Sequence, residues 1–320
     1  MLTGSGARAR ILLKARPTPR QLADRLRPPR PEGLELYLDG RDLATREARQ
    51  GVVELLRQLE RPAEFALVVE GPIRGLDGEY FDLADLRPAS FALVECLAEL
   101  GAAVGATGLV IHAIVPRTQL TWDPVERQEL LARCVELLRA YVAAARHHRL
   151  VPTLENVPPV LRMREARYLY TPVGMSPEDL AWFLERVPGL QATLDVSHAQ
   201  LYVNAQRWAL LPAEAAVPAL APLRAYVRHF PPVPAVEAFV ELLGARLFEA
   251  HISNARGVLG EGLPYGEGDL DLDRLVAQLA RRARYLVTET LEPDPERAVY
   301  MREAQARMAA VVSQLDARAP

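Results

Sequence analysis

Short apolar runs alternate with longer amphipathic stretches along the whole chain. The short runs are RILLKA from Arg10, GLELYL from Gly33, FALVVE from Phe65 and GLVIHA from Gly108. They continue with LVPTLE from Leu150, LQATLD from Leu190, RLFEAH from Arg246 and YLVTET from Tyr285, eight in all. Each is bounded by Gly, Pro or charge, which reads as a strand. Most are apolar on both faces, the pattern of a parallel strand covered on both sides. The stretches between them carry helical spacing. Asp123 with Pro124 opens a helix that runs through 126–148, and Ser176 with Pro177 opens another, each a capping residue followed by proline at the first helical position. LDLDRLVAQLARRA and PERAVYMREAQARMAAVVSQL are similar.

A repeated strand–helix order argues for parallel strands joined by right-handed crossovers. Eight such units predict a closed (β/α)8 TIM barrel as a single domain, 10–320, behind a loose tail at 1–9. A doubly wound open sheet is the competing fold, but it does not usually need eight strands. The chain has 320 residues, within the range that such a barrel occupies as one domain. Three connections exceed the usual few residues: 71–90, 156–175 and 199–245. The first two follow strands directly and are expected to wall the mouth of the barrel. The third is rich in Pro and Ala and reads as an insertion with room for an extra helix.

Half the residues are apolar and a quarter are charged, which excludes disorder as the main state. Two cysteines, Cys96 and Cys134, exclude a disulfide scaffold. No apolar run is long enough to span a membrane. The start, MLTGSGARAR, lacks a signal peptide's apolar core, so the cytoplasm is the expected compartment. The net charge of −3 gives no electrostatic footprint for nucleic acid. A small molecule is the expected partner.

The chemistry sits at the strand ends, where a barrel of this type places catalytic groups. Successive runs end in Glu70, His112, Glu155, Asp195, His251 and Glu289. One such residue reads as a rim salt bridge. Several converging on one mouth would repel one another unless a cation offsets them. Glu155, Asp195, His251 and Glu289 together form an oxygen-rich set with one imidazole, suited to one divalent ion: Mn2+ first, with Mg2+, Co2+ or Zn2+ as alternatives. The set comes from separate strands, an arrangement that leaves coordination positions open for substrate. Lys14, the only lysine, and Arg16 lie near the first strand's end, where they form a rim salt bridge or meet an anionic substrate group. Arg162, Arg164 and Arg167 read as a solvated helix face or as a phosphate contact.

The runs LENVPP, LDVSHAQ, FEAHISNARG, GEGDLDL and VTETLEP resemble the xylose-isomerase-like TIM-barrel superfamily, which includes sugar isomerases, 3-epimerases, inosose dehydratase and endonuclease IV. The resemblance covers nearly all of the barrel. It implies that Glu155, Asp195, His251 and Glu289 bind the metal, and that Glu155 and Glu289 exchange a proton through a metal-stabilised enediolate. It also implies substrate-side positions for His198, His112, Arg256, Glu70 and Asn156, with Glu70 standing where many members have His. The implied activity is a metal-dependent isomerase or epimerase of a sugar or keto-polyol, in carbohydrate metabolism, with some self-association. Hydride shift needs a second metal and a positioned lysine, and Lys14 matches no such position. Three readings compete: a dehydratase or lyase on a keto-sugar or cyclitol, an endonuclease IV-like phosphodiesterase, and a non-catalytic metal-binding partner protein. The phosphodiesterase is disfavoured because the loop NARGVLGEGLPYGEG contains neither Asp nor His.

Overall fold

The computed structural model describes residues 8–162, 168–212 and 220–317. Eight parallel strands close into a barrel with helices between them. In chain order they are β1 (Arg10–Ala15), β2 (Gly33–Tyr37), β3 (Ala66–Glu70), β4 (Gly108–His112), β5 (Val151–Glu155), β8 (Gln191–Asp195), β9 (Leu247–Ile252) and β12 (Tyr285–Thr288). β1 pairs with both β2 and β12, which shuts the sheet. Every apolar run read from the sequence is one of these strands. The remaining strands form two hairpins outside the barrel: β6 (Val160–Arg162) with β7 (Tyr168–Tyr170), and β10 (Asn254–Arg256) with β11 (Gly260–Leu263).

The first helices are α1 (Pro19–Arg25) after β1, α2 (Gly40–Ala44) and α3 (Arg46–Arg57) after β2, and α4 (Pro88–Val104) after β3. The next two begin where the sequence places their caps. Asp123 accepts from the backbone N–H of Val125 at 2.8 Å and opens α5 (Pro124–His147). Ser176 accepts from Asp179 at 3.1 Å and opens α6 (Pro177–Arg186). These contacts satisfy first-turn N–H groups that have no partner inside the helix. α7 (Val196–Ala209), α8 (Ala221–Tyr226) and α9 (Glu237–Leu243) follow β8. α10 (Leu272–Leu279) is capped by Asp271, and α11 (Val299–Asp316) completes the ring.

Two cores stabilise the barrel. The larger lies between sheet and helices. The smaller is inside: Leu12, Ala66, Val68, Val110, Phe248, Tyr285 and Val287 pack together with Val151 against them. Alternation along a strand sends every second side chain inward, so the same strands carry Lys14, Glu35, Glu70, His112, Glu155 and Glu289 into the barrel or to its mouth. The register between β8 and β9 shifts near Ala192 and Thr193. One extra residue on β9 lets Phe248 join the apolar interior while Glu249 also faces inward, onto Thr193 Oγ1 at 3.0 Å. Thr193 in turn meets Thr153 at 2.6 Å. The interior thus has an apolar floor with a hydroxyl-bonded layer beside it.

Two of the long connections carry regular structure. Residues 156–175 contain the β6–β7 hairpin, and 199–245 contains most of α7 together with α8 and α9. The third segment is therefore a barrel helix plus short helices. Arg162 ends strand β6, so it does not belong to a helix face. Arg164 and Arg167, with residues 1–7 of the expected tail, lie outside the described residues. β1 starts at Arg10, and Ala9 just before it, read as part of the tail, is already buried.

Gly108 shows how tightly the floor is filled. A Cβ there would stand 2.7 Å from the Phe248 ring, which packs edge-on against Tyr285 in the inner core. Gly108→Ala is expected to cost about 1–3 kcal/mol through overpacking, read from the urea midpoint. Adding Phe248→Leu should recover part of the loss. An unchanged midpoint in the single variant would contradict this packing.

Candidate metal centre and catalytic cavity

The open end of the barrel holds a cavity of about 390 Å3 whose floor includes Lys14, Glu70, His112, Asp195, His198 and Glu289. Ile73 from 71–90 and Val157, Pro158 and Leu161 from 156–175 form part of its wall, as expected of both connections. Glu155 and His251 lie beneath this floor and are wholly buried.

Glu155, Asp195, His251 and Glu289 meet as read from the sequence. Each offers a donor atom, and the four atoms lie within 4.8 Å of one another. β5, β8 and β9 deliver the first three, and Glu289 follows β12 by one residue. His251 points Nδ1 at the carboxylates, 3.5 Å from Glu155 and in contact with Glu289. Its Nε2 is held by Glu35 Oε2 at 3.0 Å. A carboxylate on the far nitrogen fixes ring orientation and leaves the near nitrogen aimed into the cluster. Both oxygens of Glu155, Nδ1 of His251 and Oε2 of Glu289 are buried without a well-formed hydrogen bond. Such atoms are costly unless something satisfies them. Hard oxygen donors plus one imidazole, converging and unsatisfied, fit a divalent cation.

The electrostatics point the same way. Glu35, Glu70, Glu155, Asp195, Glu249 and Glu289 are all buried around one point or reach it from the mouth, and the only lysine stands among them. Burial pushes Asp195 up to about 7 although His198 opposes it. Burial likewise raises Glu70 to about 7 against the pull of Lys14, and it drives Glu249 well above the carboxylate range, aided by Glu35. For Glu289, burial is outweighed by Lys14 and His251, which hold it down at about 2. Glu155 is also held well below its ordinary value, because His112 and His251 outweigh burial. His198 is buried too, yet Asp195 and Glu155 lift it to about 10. Every imidazole in the cluster is pulled toward its charged form, the mark of a field that demands positive charge.

The other sequence-predicted residues separate into two groups. His112, Glu70 and His198 line the cavity. His112 Nε2 sits 3.0 Å from Glu70 and 3.4 Å from Glu155, and His198 Nδ1 sits 3.4 Å from Glu155. Asn156 and Arg256 do not line it. The Asn156 carboxamide is spent on Asp195, donating to its carbonyl at 3.0 Å and accepting from its N–H at 2.8 Å. Arg256 is exposed on β10. Sequence reasoning missed Glu35 and Glu249, and it placed Lys14 at the rim. Lys14 is instead 8% exposed, 2.5 Å from Glu70, 3.6 Å from Glu35 and paired with Glu289. Arg16 makes a rim pair with Asp42 at 2.9 Å.

Residues 32–311 match the family described as xylose isomerase-like TIM barrel. The chain belongs to that family. Among solved structures, it is similar to a D-tagatose 3-epimerase-like protein, with 17% identity over 94% of this chain and 98% of that one and a TM-score of 0.64. It is also similar to a protein from Thermus thermophilus soaked with ZnCl2 (19%, 95% and 98%, TM-score 0.59). A third is the E. coli 3-keto-D-glucoside 4-epimerase YcjR in its apo form (17%, 97% and 99%, TM-score 0.56). At these identities the likeness is one of fold. No curated protein matches the chain in sequence. Within this family barrel, Asn156 ties the ends of β5 and β8 together and so sets where Asp195 stands. Asn156→Ala would leave buried backbone groups without partners. It is expected to destabilise the chain by about 1–3 kcal/mol in chemical denaturation. Wild-type stability would contradict the clamp.

Proposed function

We propose that this chain is a divalent-metal-dependent isomerase or epimerase of a ketose or keto-polyol, acting by proton transfer next to the carbonyl. The convergence of the donor atoms of Glu155, Asp195, His251 and Glu289 within 4.8 Å, under a cavity of substrate size, carries the reading. These four residues would hold the ion, Mn2+ by preference for such an oxygen-rich set. An ion held by them would supply Lewis acidity toward a carbonyl substrate. That the solved structures similar in fold include sugar epimerases supports the sugar class.

The chain's own residues would move the proton. Glu289 lines the cavity and is ionised, so it can take a proton from the carbon beside the carbonyl. Glu155, ionised beneath the floor, is the second carboxylate. In an epimerase one of the pair removes the proton and the other returns one to the opposite face of the same carbon, with no net change in oxidation state. His198 and His112 flank the floor as donors to substrate oxygens. Glu70 shares that floor but is engaged by His112 and Lys14. Asn156 would serve this site by holding Asp195 rather than by meeting substrate, and Arg256, exposed on β10, stays a substrate contact only as the resemblance implies it. A cytoplasmic setting and self-association are expected of such an enzyme, and no helix among the described residues is long and apolar enough to cross a membrane.

A dehydratase would use the same carboxylates, with His198 placed beside Glu155 to donate to a departing hydroxyl. Incubation of Mn2+-loaded protein with a ketose panel in D2O separates the readings. Deuterium at the carbon next to the carbonyl, with product of unchanged formula, is expected. Product lighter by one water identifies the dehydratase. Glu155→Gln and Glu289→Gln are each expected to lower turnover by about 10²- to 10⁴-fold, with the fold retained by circular dichroism. Wild-type rates in both variants would defeat the acid/base assignment. Chelation with EDTA should abolish exchange and Mn2+ should restore it; exchange that survives complete removal of metal would contradict metal dependence.

A further inference from the structure

The described residues contain more than one set of atoms able to hold an ion. Besides the main set, Glu70, His112 and Glu155 bring donor atoms within 4.8 Å of one another, and all three are buried. A third set is Glu35, Glu249 and His251. Lys14 touches one member of each: Glu289 of the main set, Glu70 at 2.5 Å and Glu35 at 3.6 Å. We propose that Lys14 is the site's built-in second cation, whose ammonium takes the place of a second divalent ion and limits the cluster to one metal. The inference rests on the metal reading given above.

The geometry of Glu70 carries the argument. One of its oxygens faces His112 Nε2 at 3.0 Å, and the other faces Lys14 Nζ. Each oxygen already faces a positive or hydrogen-bearing group, so a divalent ion ligated by Glu70 would have to sit beside the Lys14 ammonium. An ammonium and a divalent ion sharing such a carboxylate would repel within a few ångströms, in surroundings that screen poorly. Lys14 cannot step aside easily, because β1 is an interior-facing barrel strand and the side chain is buried among three carboxylates. Were it only a structural salt bridge, its removal would change stability and leave the metal count alone.

The test counts ions. Wild-type protein, Lys14→Met, Glu70→Gln and Lys14→Met/His112→Ala are saturated with MnCl2, freed of excess metal by gel filtration and measured by inductively coupled plasma mass spectrometry. Wild type is expected to hold one ion per chain, and Lys14→Met two. The double variant should return to one, which places the added ion at His112. Glu70→Gln should keep its single ion, since Glu70 is not a ligand while Lys14 is present; if Lys14→Met does not fold, Lys14→Gln, which keeps a polar side chain without the charge, is counted in its place and should also hold two. Two ions in wild type, one in folded Lys14→Met, or loss of the ion in Glu70→Gln would overturn the proposal. Wild-type protein that binds no divalent ion refutes the metal reading itself, and this inference falls with it.

Discussion

Carboxylates crowded into the dry mouth of a closed barrel are the constraint on which this molecule turns. Glu35, Glu70, Glu155, Asp195 and Glu249 are almost fully buried, and Glu289 joins them from the lip. Like charges at such distances raise one another's cost, and so does the loss of water. The protein meets that cost in several ways. It bonds Glu249, whose carboxyl burial pushes well above the usual range, to the Thr193 hydroxyl, surrounds Glu155 with imidazoles and inserts a lysine beside Glu70 and Glu289. Both oxygens of Glu155, Nδ1 of His251 and Oε2 of Glu289 stay unsatisfied together, and they are the atoms that the proposed divalent ion would meet.

The fold makes the crowding sustainable. An apolar floor of Leu12, Val68, Val110, Phe248, Tyr285 and Val287 fills the other half of the barrel, so stability does not have to come from the polar end. Parallel pairing on both sides of every barrel strand then holds the charged side chains in fixed positions. Local devices refine them: Asn156 bridges Asp195 from the end of β5, and Glu35 aims His251. The side chains of the proposed site are thereby held in place by the fold itself, which is the condition electrostatic catalysis would need.

Much of this is legible in the chain itself. The eight apolar runs are the eight barrel strands, and the residues at their ends meet as the strand-end reading requires, because a parallel barrel puts all strand C-termini on one face. Asp123 and Ser176 cap the helices that their sequence context predicts. The supporting residues are harder to see. Glu35 lies mid-strand between Leu34 and Leu36, where a run apolar on both faces hides which side is the interior. Glu249 enters through a register shift that no periodicity announces. Lys14 reads as a rim residue because its partners, Glu35, Glu70 and Glu289, are distant in sequence. Arg256 and Asn156 are placed by position in a motif, and position does not say whether a side chain is spent on a neighbour's backbone or turned to solvent.

The most direct test of the account is anomalous diffraction from crystals of the protein soaked in MnCl2. It predicts one strong peak at the barrel mouth, with Glu155, Asp195, His251 Nδ1 and Glu289 all about 2.0–2.3 Å from it, the range expected for oxygen and nitrogen ligands. A mouth without a peak, or an ion held by other side chains while these four stand apart, would contradict it.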